Sequence, residues 1–117
     1  MHRYKELLVW QKAMDLSQQI YEQTANFPSE EKFGLVSQMR RCSVSIASNI
    51  AEGAGRNSNG EFNQFLGIAQ GSAFELETQV LLATRMRFIS NDDEILLSKQ
   101  LSSITNMIFK LKETLKS

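Results

Sequence analysis

Apolar residues recur at helical spacing in four stretches of the chain, and polar or glycine-containing segments separate these stretches. The first stretch covers residues 5–26. Its apolar positions lie three, four or seven residues apart, at Val9, Ala13, Leu16, Ile20 and Phe27. This spacing predicts a helix with one apolar face. Phe27 precedes Pro28, and a residue before proline avoids the helical conformation, so we expect the first helix to end there.

A second helix is predicted over residues 29–52. Ser29 is expected to cap its first turn, where acidic residues also suit the positive end of the helix dipole. Its apolar stripe consists of Leu35, Met39, Cys42, Ile46 and Ile50. Gly53 and Gly55 follow this stripe. Glycine commonly ends a helix in the left-handed conformation, so we expect a glycine C-cap at this point.

Two longer helices are predicted in the second half of the chain. Ser58-Asn59-Gly60-Glu61 has the spacing of a capping box, which predicts a helix over residues 59–89. The turn Ser90-Asn91-Asp92-Asp93 precedes a helix over residues 92–116, with leucine or isoleucine every three or four positions. No segment alternates with period two for long enough to form a strand. The predicted fold class is all-α, an up-down-up-down antiparallel four-helix bundle, because short connections favour antiparallel neighbours.

Composition narrows the classes of function. With 117 residues the chain is expected to form one domain, residues 1–117. Thirteen basic and thirteen acidic residues leave no net charge, which argues against a partner held by bulk charge alone. One cysteine and one histidine argue against disulfides, histidine-based triads and multi-histidine metal sites. We expect no cofactor, metal or catalytic residues, and a cytoplasmic location because no signal peptide or membrane span is recognisable.

A polar window runs along the second helix beside its apolar stripe. Its members share about 100° of the helical projection; they are Gln38, Arg41, Ser45, Ser48, Asn49 and Glu52. Two interpretations stay open, a satisfied polar seam between helices and a groove that binds a ligand. Arg41 and Glu52 lie too far apart on the helix to pair, so each is expected to bond to neighbouring helices or subunits.

The ligand interpretation would make the protein an enzyme or a binding protein for a small phosphorylated molecule in the Arg41–Glu52 groove. A carboxylate-dependent hydrolase would need acidic side chains clustered at helical spacing. Glu75 and Glu77 lie two positions apart and therefore point away from each other on a helix. Glu52 and Glu75, the other pair of acids, fit such a cluster poorly. We therefore do not expect an enzyme.

The first and third helices carry more apolar surface than a four-helix monomer needs. The extra positions are Trp10, Met14, Tyr21, Gly67, Gly71, Phe74, Thr78, Leu81 and Phe88. A glycine inside a helix costs about 1 kcal/mol relative to alanine, so two of them indicate a packing reason. We predict a homo-oligomer with these residues at its interface. The alternative is a monomeric helical adaptor that binds a protein partner through the outer face of the third helix.

Basic residues gather at two places that are candidate contacts for RNA or DNA. They are Arg40 and Arg56 on the second helix and its exit, and Lys110, Lys112 and Lys116 in the last turns of the fourth helix. Positive charge at a helix C-terminus also suits the helix dipole, which is a sufficient structural reason for the three lysines. Nucleic-acid binding through these five residues therefore remains a hypothesis.

Several segments are together distinctive. The first group is Leu8-Val9-Trp10-Gln11-Lys12-Ala13, Phe27-Pro28, Glu31 and Gly34-Leu35. The second is Gln38-Met39-Arg40-Arg41, Ser45-Ile46-Ala47-Ser48-Asn49-Ile50-Ala51-Glu52-Gly53 and Arg56. The third is Phe65-Leu66, Ala69, Gly71-Ser72 and Glu75-Leu76-Glu77-Thr78-Gln79. In these residues the chain resembles the four-helix-bundle proteins encoded in intervening sequences of bacterial 23S ribosomal RNA genes.

The resemblance implies a small cytoplasmic bundle without an established enzymatic activity, and pentameric rings occur within the family. A related branch, the accessory variability determinants of diversity-generating retroelements, forms a barrel-like pentamer that works with a reverse transcriptase and nucleic acid. That branch is more basic than this chain. We therefore expect a non-enzymatic oligomeric bundle, with a pentamer favoured by the resemblance. Its expected role is that of a scaffold or of an accessory protein associated with RNA or another nucleic acid.

Overall fold

The computed structural model describes residues 2–116, which form four α-helices and two single-turn 3-10 segments. The helices are α1, Leu8–Thr24; α2, Leu35–Ala54; α3, Asn59–Arg85; and α4, Asn91–Leu115. The 3-10 segments are Tyr4–Glu6 and Ser29–Glu31. Across residues 2–116 no strand is present, and the predicted all-α four-helix bundle is confirmed.

Each helix packs against the next one along the chain, and α1 completes the bundle by packing against α4. The apolar stripes of all four helices meet in one core. Its largest fully buried side chains include Leu16, Met39, Ile46, Phe62, Leu76 and Leu101. The resulting molecule is elongated, at 45 × 24 × 20 Å. None of the helices in this part of the chain has the length and apolar character that a membrane crossing requires.

The predicted capping box at the start of α3 is confirmed, and α4 begins with a serine cap of the same kind. The Ser58 Oγ accepts a hydrogen bond from the Glu61 N–H at 3.2 Å, as the capping box predicts. The Ser90 Oγ accepts one from the Asp93 N–H at 3.1 Å. Both interactions satisfy backbone donors that the first turn of a helix leaves without a helical partner.

The predicted start of the second helix is wrong, because α2 begins at Leu35 rather than at Ser29. The Ser29 side chain makes no capping bond, and its segment forms a separate 3-10 turn. Gly34, with φ −105° and ψ −109°, departs from the helical conformation and separates this turn from α2. Glu31 takes the capping role instead, since its Oε1 accepts a hydrogen bond from the Leu35 N–H at 3.2 Å.

The predicted left-handed glycine cap at the end of α2 is also wrong. Gly55 has φ −83°, and no glycine between residues 2 and 116 has a positive φ. Gly53 instead lies inside the helix, where α2 touches α3. A Cβ atom at Gly53 would lie 2.7 Å from the Phe65 Cβ and 3.0 Å from the Phe62 Cδ1. Glycine therefore serves close helix packing at this position.

The third helix ends at Arg85, earlier than predicted, because Arg87 adopts a left-handed conformation with φ 66°. The Phe88 N–H donates to the Ala83 carbonyl at 2.9 Å, which is the long hydrogen bond of a Schellman motif. This turn carries Phe88 towards the core, where its ring centroid lies 5.4 Å from that of Phe27. No glycine marks the position, so the sequence pattern did not reveal it.

Candidate functional site

The predicted polar window of α2 faces α3 along part of its length. The Ser45 and Ser72 hydroxyl oxygens lie 2.9 Å apart, which links the two helices. The Asn49 side-chain amide donates to the Ser45 carbonyl at 2.8 Å and to the Ser45 Oγ at 3.0 Å. Ser45 and Asn49 are therefore satisfied within the bundle, as the seam interpretation predicts.

An open groove of about 470 Å³ lies between α2 and α3 beside this seam. Its lining residues are Gln38, Arg41, Cys42, Ser45, Ser72 and Glu75. Three of them belong to the predicted window, while Ser72 and Glu75 come from α3. Their contribution depends on which helix lies beside α2, and a single-helix projection does not contain that information.

The prediction that Arg41 and Glu52 bond to neighbouring helices is wrong, while bonds to a neighbouring subunit stay a prediction. Glu52 lies outside the groove and pairs with Arg56 at 3.0 Å, with both side chains exposed. Arg41 is exposed and forms neither a hydrogen bond nor an ion pair in the part of the chain that the structure describes. Ser48 lies on another surface, a groove between α1 and α2. The six residues of the window therefore do not form one site.

Cys42 is the most strongly perturbed ionisable group of the groove. Burial raises the pKa of its thiol to about 11, because the charged thiolate loses its hydration. That value of about 11 includes a smaller upward contribution from the neighbouring Glu75 carboxylate, while Gln79 and Arg41 lower the pKa. The thiol is therefore protonated at neutral pH and is a poor nucleophile.

The charges of the groove do not favour a phosphorylated ligand. Arg41 would attract a phosphate, but the Glu75 carboxylate lines the same groove and would repel it. Glu52, the other acid considered for catalysis, lies far from Glu75. With Ser45 level with Ser72 across antiparallel helices, the helical rise places Glu52 and Glu75 about 15 Å apart along the bundle. These two carboxylates cannot share a metal ion or a proton.

A second surface is formed by the outer face of α3. We use the name α3 ridge for Ile68, Gly71, Phe74, Thr78 and Leu81, which are exposed and lie three or four residues apart. Phe74 is 53% exposed, and a Cβ atom at Gly71 would meet no atom within 4 Å. Gly67 lies beside the ridge, with the Lys112 Nζ 3.4 Å from the position of its missing Cβ.

A third surface is an apolar groove between α1 and α2. We use the name α1–α2 groove for the space of about 440 Å³ lined by Met14, Ser17, Gln18, Tyr21, Val44 and Ala47, together with Asp15 and Ser48. Met14, Tyr21 and Val44 are each more than 40% exposed. Two of these, Met14 and Tyr21, belong to the predicted interface of the first helix.

Two residues of the predicted interface do not lie free on an outer face. Phe88 is half-buried against Phe27, because the turn after α3 directs its side chain towards the core. Trp10 is half-buried and packs edge-on against Tyr4, with 5.2 Å between the ring centroids. Sequence reasoning also missed Ile68, Val44 and Leu82, which add to the exposed apolar surface. Helical spacing from Gly71, three positions further along, would have indicated Ile68.

The five basic candidates for nucleic-acid contact do not form one patch. Arg40 lies near the start of α2, about 24 Å along the helix from Arg56. Arg40 donates from Nε to the Thr24 hydroxyl at 3.0 Å, so it is held within the bundle. The other four, Arg56, Lys110, Lys112 and Lys116, lie at the opposite end, where α2 and α4 finish and α3 begins.

Three of these four cations have partners in the same chain. Arg56 pairs with Glu52, and Lys116 pairs with Glu113 at 3.1 Å. The Lys112 ammonium donates to the Asn63 carbonyl at 3.1 Å. The two ion pairs are exposed and worth less than about 1 kcal/mol each, so they give way easily to another anion, whereas the Lys112 bond to a carbonyl is partly buried.

A known protein shares this fold over most of the chain. One similar solved structure comes from Bacteroides thetaiotaomicron and is described as a protein with unknown function from the S23 ribosomal protein family. It covers 91% of this chain and 96% of its own, with a TM-score of 0.81 and 24% sequence identity, which shows a shared fold. No curated protein matches the chain. Residues 5–110 match the family described as 23S rRNA-intervening sequence protein, so the chain belongs to that family.

Proposed function

We propose that this protein is a non-enzymatic, cytoplasmic homo-oligomer that acts as a scaffold or as an accessory protein associated with RNA or another nucleic acid. The observation that carries the proposal is the α3 ridge, where Ile68, Phe74 and Leu81 are each about half exposed in the part of the chain that the structure describes. A large contiguous apolar patch on a protein surface commonly marks a site of protein association. The resemblance to pentameric relatives, including the accessory variability determinants of retroelements, favours five subunits.

The positions of the acidic side chains support a role without catalysis. Glu52 and Glu75 lie about 15 Å apart along the bundle, too far for a shared proton or metal. Cys42 holds its proton at neutral pH. A scaffold needs neither a nucleophile nor a pair of acids, so its requirements agree with the groups that the chain offers.

Association with nucleic acid in this proposal depends on assembly, since one chain has no net charge. Four basic candidates lie at one end of the bundle, and a ring would repeat them once per subunit. Repeated weak sites that act together can exceed the affinity of one site by about 10²–10⁴. Arg40 lies at the other end and contributes less to such a face.

The test is RNA binding by fluorescence anisotropy, with a labelled single-stranded RNA and the wild type, Gly71→Arg and Ser102→Arg. Gly71→Arg places a charge on the α3 ridge and should separate the subunits. Ser102→Arg adds the same charge on an exposed position of α4 and serves as the control. We expect the wild type and the control to bind RNA weakly and less tightly as salt rises, because binding releases counterions.

Gly71→Arg should bind at least tenfold more weakly, although it carries an added positive charge. Equal binding by this variant, or no binding by the wild type at about 50 mM salt, would remove nucleic acid from the proposal and leave protein scaffolding. A wild type that is monomeric by light scattering would favour the adaptor alternative, in which the α3 ridge contacts a different protein.

A further inference from the structure

The α3 ridge and the α1–α2 groove are two different apolar surfaces on one chain. Assuming the oligomer proposed above, we infer that Phe74 of one subunit inserts into the α1–α2 groove of the next subunit, which makes the contact head-to-tail. A head-to-tail contact joins unlike surfaces and generates a ring when its rotation closes. Three observations support this inference: the positions of the two surfaces along the bundle axis, their apolar chemistry and the area of the contact.

Hydrogen bonds between helices show which residues lie at the same height, that is, at the same position along the bundle axis. Ser17 of α1 lies beside Ser43 of α2, with 3.0 Å between the hydroxyl oxygens. Ser45 of α2 lies beside Ser72 of α3 at 2.9 Å. Ser45 is about 3 Å beyond Ser43 along the axis. Because α2 and α3 are antiparallel, the residue of α3 level with Ser43 lies two positions after Ser72. That residue is Phe74, so Phe74 and Ser17 have the same height.

Ser17 lies in the middle of the α1–α2 groove, between Met14 and Tyr21. Rotation about an axis parallel to the bundle moves a residue around the axis without changing its height. In a ring with such an axis, Phe74 of one subunit therefore lies level with the centre of the groove of its neighbour. Gly71, one turn from Phe74, arrives level with Met14, where the absence of a side chain leaves room for close approach.

The chemistry of the two surfaces also matches. The ridge presents Ile68, Phe74 and Leu81 without an ionisable residue among its five members. The groove presents Met14, Tyr21 and Val44, each partly exposed, around a space of about 440 Å³. An aromatic ring that enters an apolar groove buries about 150–250 Å² of surface. The Arg40 guanidinium lies 4.6 Å from the centroid of the Tyr21 ring at the edge of the groove, but neither the five ridge residues nor the residues that line the groove include a lysine or an arginine, so a second copy is the occupant we assign.

The size of the contact favours a ring over a dimer. The α3 ridge spans residues 68–81, about 20 Å of a helix about 12 Å wide, so it covers on the order of 250 Å². Two partners together would bury about 500 Å², which is below the range of a stable specific interface. One such contact makes a weak dimer. In a ring every subunit forms two contacts, and both must break before that subunit leaves.

Across the bundle, α4 offers a weaker alternative surface. It exposes Ile95 and Leu96 at its start and Phe109 about 20 Å further along. Lys99, Ser102 and Asn106 are exposed between them, so the apolar surface is interrupted. Leu96 is 59% exposed and therefore gives a control position that matches Phe74 in exposure.

The test uses cysteines introduced singly at the two surfaces, as Met14→Cys and Gly71→Cys. Both positions are exposed, so neither change should disturb the fold. The native Cys42 is buried and protonated at neutral pH, so it should not compete. Under mild oxidation, a mixture of the two variants should give a cross-linked dimer, and each variant alone should give none. A mixture of Met14→Cys and Ser102→Cys, with the second cysteine on α4, is the control.

Mass measurements on Phe74→Asp and Leu96→Asp complete the test. Phe74→Asp should lose the oligomer while keeping its helical content, and Leu96→Asp should keep the wild-type mass. Cross-linking of Gly71→Cys with itself would overturn the inference, since it would show ridge against ridge. An oligomeric wild type with no mixed cross-link, or an oligomeric Phe74→Asp, would also overturn it but leave the proposed oligomer in place. A monomeric wild type would overturn both.

Discussion

Gly53 and Gly71 are both helical glycines, but only Gly53 is surrounded by other atoms. A Cβ atom at Gly53 would approach Phe65 to 2.7 Å, whereas one at Gly71 would meet nothing within 4 Å. Gly53→Ala should therefore lower the free energy of unfolding by about 1–3 kcal/mol, because α2 and α3 would have to separate. Within a separated subunit, as in the Phe74→Asp background, Gly71→Ala should raise it by up to about 1 kcal/mol through helix propensity.

Urea unfolding of the two variants, followed by circular dichroism, measures this difference. The pair is matched because each replaces a helical glycine by alanine, and only the surrounding space differs. Equal changes in the two variants would contradict the role of Gly53 in close helix packing.

Cys42 makes stability depend on alkaline pH. Burial raises the pKa of its thiol from 9.0 to about 11, so the folded state holds the proton more tightly than the unfolded state does. The contribution of this proton binding to the free energy of unfolding is fully present below about pH 9 and is lost as the pH rises through 11. The stability advantage of the wild type over Cys42→Ala should fall by about 2 kcal/mol between pH 8 and pH 11.

Unfolding by urea at both pH values, with the wild type and Cys42→Ala side by side, measures this loss. Lysines and tyrosines titrate in the same range, but they are common to both proteins and cancel in the difference. A difference between the two proteins that stays constant with pH would refute the raised pKa of Cys42.

Among the helices, the sequence pattern predicts the start at Ser58 correctly and the start at Ser29 wrongly. Both precede acidic residues and an apolar run, but only Ser58 makes a capping bond. Ser58→Ala should therefore destabilise the protein by about 1 kcal/mol. Ser29→Ala should change its stability by less than about 0.5 kcal/mol. Thermal unfolding of the two variants checks this, and an equal loss in both would mean that Ser29 caps a helix in solution.

Periodicity predicted the type and order of all four helices because each buries one continuous apolar stripe. It failed where a helix ends for reasons outside that stripe. Gly34 interrupts the helical conformation before α2 although polar residues there resemble a helix start. Arg87 ends α3 in a left-handed conformation that is uncommon for residues other than glycine. Phe88 consequently turns inward, and its predicted place on the outer face was wrong.

The candidate surfaces were predicted in part. Met14, Tyr21 and Phe74 follow from helical projection, because that projection separates a buried face from an outer one. The residues that join a groove from a neighbouring helix cannot be predicted in this way, since their proximity depends on how the helices are rotated and shifted relative to each other. Val44 in the α1–α2 groove and Glu75 in the α2–α3 groove are examples. Hydrogen bonds such as Ser45 to Ser72 fix that register.

At the scale of the whole molecule, the chain exposes more surface than its mass requires. Its accessible surface is 7046 Å², whereas a typical monomer of 13.3 kDa exposes about 6,500 Å². The elongated shape accounts for part of this excess, and long sides of a bundle are the surfaces that a ring would cover. The exposed side chains of Ile68, Phe74 and Leu81 lie on such a side.

Sedimentation velocity of the wild-type protein at micromolar concentrations shows whether the protein is an oligomer. We expect one species whose mass is a multiple of 13.3 kDa, with about five subunits favoured by the family resemblance. Gly71→Arg, run beside it, should sediment as a monomer because its charge would be buried without a partner. A wild-type species of 13.3 kDa throughout this concentration range would contradict the account.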